Sequence, residues 1–363
     1  MELPETTKNI TVLWLNEVLH ENGFLGSANI VSLKREPMGV GAGFMSDMAK
    51  LTLSFDRDTQ HLPKTMIAKL LPSYPSAREL AIRLNYFERE IRFYTELAPE
   101  SPIRTPELIY GAMDSENKRY VMIMEDCSYC TPADQQQGLT YEQTKIVVSK
   151  MADFHARWWD DENLDSLQWM PTQKNQVTAN IDMMRASWDA CAKIEEFRKA
   201  LPEGGWEAGL KICEQRPWLV KSIPGDKLTI IHSDLRADNI FFDWDTPDNP
   251  LILFDWSSAV VGHGVTELPH LLASSLATEL RRQVEKDIVK LYYEHLLARG
   301  VSSYTFDECW TDYLRGFLIK IGAFMAGLSI VDYSDPRSLK SITTGLHRWF
   351  SAILDNKATS MLP

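Results

Sequence analysis

The sequence has few of the features that mark disulfide-rich or nucleic-acid-binding proteins. Its five cysteines are an odd number at irregular spacing, which favours free thiols in a reducing compartment. Cys127 and Cys130 form a close pair without a second pair or a histidine partner, so two ordinary thiols are favoured over a zinc site. Acidic residues outnumber basic ones by 50 to 38, for a net charge of −12. Because nucleic acids and anionic membranes attract basic surfaces, we expect neither as a partner.

No segment has the composition of a membrane helix or a secretory signal. The most apolar late stretch, Phe317 to Val331, contains Lys320 and is shorter than the about 20 mostly apolar residues that span a bilayer. The N-terminus is acidic and leads into an amphipathic stretch, so it lacks the basic start and apolar core of a signal. These features predict a cytoplasmic protein and leave its oligomeric state open.

The composition is otherwise globular, with 44% apolar and 24% charged residues. In the first part of the chain, short apolar or alternating runs predict strands, and Ala77–Ala98 predicts one helix with an apolar stripe. The predicted strands are Ile30–Leu33, Ala49–Phe55, Met66–Leu71, Leu108–Tyr110 and Tyr120–Met124. Together these elements predict a small antiparallel lobe over residues 1–127.

From residue 128 to residue 363 the pattern is mostly helical. The predicted helices are Tyr141–Trp159, much of Asn180–Lys199, Trp206–Arg216, Glu279–Ala298 and Thr305–Val331. Short strand-like runs lie between them at Leu228–Ile231, Ile240–Phe242 and Leu251–Phe254. The sequence therefore predicts an α+β fold of two lobes, of which the second is large and mostly helical.

The strongest chemical signal is the loop from His232 to Asn239, which lies between apolar strands. Phosphoryl transfer needs a carboxylate that orients and deprotonates the attacking hydroxyl, and a neutral oxygen ligand for Mg²⁺. Asp234 fits the first role and Asn239 the second, while His232 can brace the loop by hydrogen bonding. A polar turn between strands is the alternative interpretation of these residues.

A second carboxylate, Asp255, ends the apolar run Leu251–Phe254. It needs a partner there, because an unpaired charge in apolar surroundings is unfavourable. A bound Mg²⁺ would supply one, and Asp255 and Asn239 would then be a pair of protein ligands beside nucleotide oxygens. Viewed alone, Asp255 is better explained as a helix N-cap or a turn residue.

A glycine-rich turn in the first part of the chain is a candidate for phosphate binding. Gly39, Gly41 and Gly43, followed by Ser46, lie between two predicted strands. Their backbone amides can approach phosphate oxygens closely. The pattern departs from G-x-G-x-x-G and lacks a following Gly-Lys-Ser/Thr, so in isolation an ordinary hairpin turn is the favoured interpretation.

Lys69 is the candidate phosphate anchor, because Met66-Ile67-Ala68-Lys69 is close to the V-A-I-K pattern of kinases. Such a lysine needs an acidic partner on the following helix. Glu90 borders the apolar stripe of that helix, whereas Glu88 points away from it. The alternative is a solvated strand end and a solvated helix face.

A hinge is predicted where the strand Tyr120–Met124 runs into an acidic turn. Met124, Glu125, Asp126 and Cys127 could present backbone N–H and C=O groups to adenine, with apolar side chains about the ring. A simple linker between lobes would have the same residues.

Taken in order, these parts resemble those of a kinase. Asp255-Trp256-Ser257 replaces the Asp-Phe-Gly of protein kinases and no Ala-Pro-Glu segment is present, so the chain is more similar to the aminoglycoside phosphotransferase and choline kinase superfamily. The segments Gly39 to Ser46, Phe87 to Tyr94 and Met124 to Asp126 most resemble its ecdysteroid-kinase-like branch, also called CHK-kinase-like. The resemblance covers roughly residues 35 to 275 and implies the bilobal protein-kinase-like fold.

Membership of this group would imply that ATP and Mg²⁺ are used to phosphorylate a hydroxyl of a small molecule, with Asp234 as the base. The family usually has an acidic residue that opens a helix supporting the site. Here the match is Glu267, followed by an unusual Pro269-His270. His155 lies in a helix segment shared by these families and is expected to be structural.

The acceptor molecule is not identified by the sequence. It could be a sterol-like alcohol, an amino alcohol, a hydroxy acid or an antibiotic. Large aromatics of the second part could line its cavity, although core packing is favoured for each one: Trp188, Trp206, Trp218, Tyr313 and Trp349. The alternatives are a nucleotide-binding pseudokinase that acts as a scaffold, or a kinase for a cationic acceptor of the aminoglycoside or choline type. A protein kinase is disfavoured.

Overall fold

The computed structural model describes residues 2–38, 46–59, 61–179, 181–328 and 333–363. Contacts between residues divide the chain into two compact units. The first comprises Met1–Glu100, Arg104–Thr131 and Ile252–Ser257, and the second comprises Ser101–Ile103, Pro132–Leu251 and Ser258–Pro363. The short segment that carries Asp255 therefore belongs to the first unit, although it lies far along the chain from the rest of that unit.

Within the described residues, five strands of the first unit form an antiparallel sheet in the order β1-β2-β3-β5-β4. They are β1 (Ile30–Met38), β2 (Asp47–Phe55), β3 (Thr65–Leu70), β4 (Leu108–Asp114) and β5 (Arg119–Glu125). The five predicted strands are confirmed. Strand β3 is central and mostly buried, which explains its nearly continuous apolar run. Lys69 lies in this strand opposite Met48 on one side and Met122 on the other.

The first unit also contains the helices α1 (Val12–Glu21), α2 (Pro75–Arg83) and α3 (Tyr86–Arg92). The segment predicted as one helix, Ala77–Ala98, is divided, because Asn85 adopts a left-handed conformation with φ of 55°. Asparagine tolerates this conformation better than most residues. A single π-helical turn over Phe93–Leu97 follows α3.

Helices make up most of the second unit. They are α4 (Tyr141–Arg157), α5 (Gln173–Ala179), α6 (Ile181–Cys191), α7 (Glu195–Ala200), α8 (Gly205–Ser222), α9 (Glu267–Ser275), α10 (Thr278–Ala298), α11 (Phe306–Gly327) and α12 (Pro336–Asp355). The predicted helix Asn180–Lys199 is divided into α6 and α7, whereas α4, α8, α10 and α11 agree with the prediction. Capping boxes begin α4 and α11, at Thr140 and Thr305. No helix within the described ranges is long and apolar enough to cross a membrane.

Short strands in the later part of the chain position its two polar loops. They are β6 (Thr131–Pro132), β7 (Thr229–Ile231), β8 (Ile240–Phe242), β9 (Leu251–Leu253) and β10 (Val260–Gly262). Strands β7 and β10 of the second unit pair antiparallel, with Ile231 opposite Val260. The loop between β7 and β8 carries residues 232–239, and the loop after β9 carries Asp255. Both loops therefore begin at the end of a buried strand, which fixes the position of their first residues.

Candidate active site

Lys69 in β3 is buried and has two acidic neighbours. Its Nζ donates hydrogen bonds to both carboxylate oxygens of Glu90, at 2.8 and 2.7 Å. It also donates to Oδ1 of Asp255 at 3.2 Å. Glu90 lies in α3, and its side chain is almost completely buried. The first unit thus brings together a strand lysine, a helix glutamate and the carboxylate that follows β9.

The electrostatics of this group are those of an ammonium between two carboxylates. Burial by itself lowers the pKa of Lys69, but Asp255 and Glu90 more than offset this effect, and the pKa lies above its ordinary value. Burial raises the pKa of Glu90 to about 7, against the opposing effect of Lys69. We therefore expect Lys69 to be protonated at neutral pH.

Asp255 lies in a sharply turned loop that is anchored by its neighbour. The residue has a left-handed backbone with φ of 62°, and its Oδ1 accepts a hydrogen bond of 2.7 Å from Ser257. The ring of Trp256 stacks on Phe93 with centroids 3.9 Å apart and an interplanar angle of 8°. The indole N–H of Trp256 donates to the carbonyl of Leu253 at 3.1 Å. Aspartate tolerates this left-handed conformation better than most residues.

The predicted hinge residues continue from the end of β5. Met124 and Cys127 are buried. The backbone N–H of Glu125 donates to the carbonyl of Glu107 at 2.9 Å, and Asp126 forms an ion pair of 2.7 Å with Lys50. The turn is therefore tied to the sheet of the first unit on both sides.

The glycine-rich turn is only partly described by the structure. Gly39, Gly41 and Gly43 lie outside the described residues, whereas Ser46 is described and immediately precedes β2. The phosphate-binding role predicted for these residues stays a prediction.

In the second unit, the loop after β7 brings Asp234 and Asn239 into direct contact. The side-chain Nδ2 of Asn239 donates to the backbone carbonyl of Asp234 at 2.8 Å and to its Oδ2 at 3.0 Å. The guanidinium Nε of Arg236 donates to the same Oδ2 at 3.2 Å. His232 is fully buried, and its Nδ1 accepts the backbone N–H of Asp234 at 3.2 Å. The loop therefore has the internal bracing that its sequence predicts.

Glu267, the first residue of α9, binds two backbone N–H groups at the start of this loop. Its Oε2 accepts the backbone N–H of His232 at 2.9 Å, and its Oε1 accepts that of Ser233 at 2.6 Å. His155 of α4 lies 3.2 Å from Oε2, and its other ring nitrogen contacts the hydroxyl of Tyr292 at 2.8 Å. Burial alone would raise the pKa of Glu267, but His155 and nearby positive charges lower it to about 2. Glu267 is thus an ionised carboxylate that supports the loop, and His155 orients it.

Three polar residues near Asp234 were not predicted as site residues: Arg236, His270 and Lys320. Nε2 of His270 lies 3.6 Å from Oδ1 of Asp234, and burial lowers the pKa of this imidazole to about 4, although Asp234 opposes the shift. Lys320 is buried in α11 and donates to Ser233. The signal that could have indicated Lys320 is the presence of one lysine in an otherwise apolar helical segment.

The aromatic residues considered for an acceptor cavity mostly pack in the core of the second unit. Trp188, Tyr313 and Trp349 are fully buried. The Trp188 ring stacks on that of Trp206, with centroids 5.1 Å apart, whereas Trp218 is partly exposed to solvent. Trp349 differs from the others because its ring contacts that of His270, with centroids 5.6 Å apart.

Each of the two polar loops, considered within its own unit, has a side-chain oxygen of the kind that Mg²⁺ binds. Among the described residues, no group of three or more His, Cys, Asp or Glu side chains could hold a metal ion. Cys127 and Cys130 are buried and are not joined by a disulfide. Mg²⁺ bound beside phosphates needs few protein ligands, all of them oxygen. The Asp255 carboxylate and the Asn239 amide oxygen are ligands of that kind.

Comparison with known sequences gives a family match over most of the chain. Residues 40–300 match the model of the ecdysteroid kinase-like family. A curated relative from Caenorhabditis elegans, named uncharacterized oxidoreductase dhs-27, is 21% identical over 351 residues, covering 87% of this chain and 41% of that protein. The chain thus spans about two fifths of the length of that relative.

Solved structures with similar folds include three small-molecule kinases. Plasmodium vivax ethanolamine kinase has a TM-score of 0.57 at 10% identity, covering 98% of this chain and 91% of that one. Cryptosporidium parvum choline kinase has a TM-score of 0.55 at 10% identity, covering 90% and 91%. A GDP complex of an aminoglycoside phosphotransferase has a TM-score of 0.53 at 13% identity, covering 97% and 99%. At such identities the similarity shows the fold, which confirms the predicted α+β, protein-kinase-like class.

Proposed function

This chain belongs to the ecdysteroid kinase-like family, and on that premise we propose that it transfers the γ-phosphoryl group of ATP to a hydroxyl of a small molecule. The observation that carries the proposal is the buried contact of Lys69 with Glu90, beside Asp255. In kinases a lysine held by a helix glutamate contacts phosphate oxygens. A buried ammonium of this kind contributes little to the stability of a small sheet, because removing a charge from water is unfavourable.

The first unit would bind the nucleotide. Lys69 would contact the α- and β-phosphates, and the backbone amides of the turn from Gly39 through Gly41 and Gly43 to Ser46 would contact phosphate oxygens. The backbone of Met124, Glu125, Asp126 and Cys127 would present hydrogen-bonding groups to the adenine ring. The supporting observation is that the turn after β5 is fixed to its own sheet by the contacts of Glu125 and Asp126.

Asp234 would act as the general base. Its carboxylate accepts the proton of the acceptor hydroxyl while that oxygen forms a bond to the γ-phosphorus. The bond from the γ-phosphorus to the bridging oxygen breaks, and ADP leaves with the bonding electrons. Hydrogen bonds from Asn239 and Arg236 to Oδ2 of Asp234 hold the carboxylate in place. His232 would act by bracing the loop.

Asn239 and Asp255 would each donate an oxygen to Mg²⁺. When bound, the ion would neutralise charge on the phosphate oxygens. Because Nδ2 of Asn239 is engaged by Asp234, the amide oxygen is the atom of this side chain that suits a cation.

The experiment that tests the proposal uses γ-labelled ATP, Mg²⁺ and fractionated cell extract, with labelled products identified by mass. Label on a small metabolite supports the proposal. Label on polypeptide would point to a protein kinase, and ATP binding without any transfer would point to a pseudokinase. A panel of steroid alcohols, choline, ethanolamine and an aminoglycoside separates neutral from cationic acceptors.

Two substitutions in one loop give a matched control for that experiment. Asp234→Asn removes the proposed base, and we expect phosphotransfer to fall about 10²- to 10⁴-fold while the rise in melting temperature caused by Mg-ATP persists. Asp238→Asn changes a carboxylate that is about half exposed and contacts Arg236, and we expect most of the activity to remain. Undiminished transfer by the Asp234→Asn enzyme would overturn the assignment of the base.

A further inference from the structure

Ser233, the residue before the proposed base, has an unfavourable backbone conformation. Its φ is 71°, in the left-handed region where the Cβ atom of an L-residue comes too close to the backbone. Glycine adopts this conformation readily because it has no Cβ atom. A serine persists in such a turn only when its surroundings hold it there.

Hydrogen bonds to three side chains hold Ser233 in place. Its backbone N–H donates to Oε1 of Glu267 at 2.6 Å, and its Oγ donates to Oε1 of Gln176 at 2.8 Å. The ammonium of Lys320 donates to Oγ at 3.0 Å and to the backbone carbonyl at 3.4 Å. Gln176 in turn donates from Nε2 to the carbonyl of Ser258 at 3.2 Å. All five residues belong to the second unit.

Lys320 has a buried ammonium group that contacts the turn at Ser233. It is 5% exposed and lies in α11 among buried neighbours such as Ile319 and Ile321. Within the described residues, both hydrogen bonds of its ammonium go to Ser233. Burial lowers the pKa of Lys320, and the nearby carboxylates of Glu267 and Asp234 oppose the shift. Because a lysine is rarely buried without a specific role, its contacts identify what it does.

We propose that Lys320 is a positioning residue: through the hydroxyl and carbonyl of Ser233 it holds the left-handed turn from which Asp234 is presented. This inference rests on the proposed function, since Asp234 is its base. Lys320 is 87 positions from Ser233 in the sequence, so helix α11 would fix the catalytic loop in a way that the loop's own residues do not. A small displacement of a reacting group is enough to lower a rate markedly.

Substitutions at the two positions separate this role from others. Ser233→Ala keeps the Cβ atom and loses the hydroxyl contacts with Gln176 and Lys320. Ser233→Gly loses the same hydroxyl contacts but adopts the left-handed turn freely. We expect Lys320→Met and Ser233→Ala each to lower kcat about 10- to 100-fold, with KM for ATP changed less than about threefold. The Ser233→Gly enzyme should retain kcat within about fivefold of the wild-type value. In the Ser233→Gly background, Lys320→Met should lower kcat by less than a further factor of about three.

Two outcomes of these kinetics would overturn the proposal. One is a Lys320→Met enzyme with wild-type kcat. The other is an equal decrease in kcat on Lys320→Met in both backgrounds, because Lys320 would then act without Ser233. Lys290→Met, which removes a surface lysine of α10 that faces Glu294, is the control for loss of a positive charge and should keep wild-type kcat.

A second measurement does not depend on catalysis. The backbone amides of His232 and Ser233 are bonded to Glu267, so their hydrogen exchange reports the order of the turn. We expect at least about tenfold faster exchange in the Lys320→Met and Ser233→Ala proteins, with unchanged exchange in β10. If the wild-type protein phosphorylates no acceptor, the proposed function fails, but exchange still decides the role of Lys320. Unchanged exchange in the Lys320→Met protein would overturn it.

Discussion

The Nζ atom of Lys69 lies 2.8 Å from one carboxylate oxygen of Glu90 and 2.7 Å from the other. Replacing Glu90 by glutamine removes the charge and one acceptor, which leaves the buried ammonium without its main partner. We expect the Glu90→Gln protein to bind Mg-ATP about 10- to 100-fold more weakly, the range that follows from hydrogen bonds between charged groups. Calorimetric titration with Mg-ATP measures the effect.

Glu88→Gln is the matched control for that substitution. Glu88 lies in the same helix and accepts a hydrogen bond from Asn85, away from Lys69. Its replacement should leave the affinity for Mg-ATP within about twofold. Equal effects of the two substitutions would contradict the specific role of Glu90.

Asp255→Asn should raise the Mg²⁺ concentration needed for half-maximal phosphotransfer. The substitution removes a negative charge from a proposed ligand while its contact with Ser257 can persist, and changes near metal ligands typically weaken metal binding about 10- to 100-fold. Titration of activity with Mg²⁺ at fixed ATP measures the shift. Asp248→Asn, an exposed change in the connection between β8 and β9, should give the wild-type curve, and the same curve for Asp255→Asn would exclude it as a ligand.

Glu267→Gln should change how the free energy of unfolding depends on pH. The pKa of Glu267 is lowered to about 2 in the folded protein from an ordinary 4.5. The stability that this carboxylate contributes is therefore fully present above pH 4.5 and is lost as the pH falls from 4.5 through 2. This contribution of Glu267 to the free energy of unfolding is on the order of 3 kcal/mol. Urea unfolding should show the largest gap between wild type and Glu267→Gln above pH 4.5, and the gap should narrow in more acidic buffers. A gap that is constant with pH would contradict the ionised state of Glu267.

Trp256→Leu should destabilise the protein more than a chemically similar change at the surface. Trp256 is fully buried against Phe93, and removing part of a buried aromatic side chain costs about 2–4 kcal/mol. Trp244 also stacks on a phenylalanine, Phe242, but half of it is exposed, so Trp244→Leu should cost less than about 1 kcal/mol. Denaturant unfolding of both variants gives the comparison, and similar losses at the two positions would argue against the stack as the anchor of the Asp255 loop.

The sequence predicts the parts of this molecule that depend on local periodicity. The alternating and apolar runs of the sheet indicate its strands, and helical spacing selects Glu90 over Glu88 because the stripe through Phe87 fixes which side of the helix is inward. The contact of Asn239 with Asp234 also follows from spacing, since a five-residue separation within one loop keeps the two side chains near each other.

Features that do not alter the local periodicity are not predictable in this way, whether they are a single backbone conformation or a contact between distant segments. The periodicity of Ala77–Ala98 continues through Asn85, so nothing in the pattern shows that the helix is interrupted there. The contact between Lys320 and Ser233 joins two segments that lie far apart in the sequence.

Helix α12 could have been predicted from the sequence by a closer use of capping rules. Its N-terminus has a capping residue, Asp335, followed by Pro336 as the first helical residue.

All five cysteines are buried and none is in a disulfide. Burial raises the pKa of Cys213 to about 11 and those of Cys127 and Cys309 to about 12. Because alkylating reagents attack the thiolate, the native chain should react slowly with iodoacetamide, whereas unfolded molecules should be labelled at once. The rate of labelling therefore measures how often each region opens, with Cys127 reporting on the first unit and Cys213 and Cys309 on the second, and no introduced probe is needed.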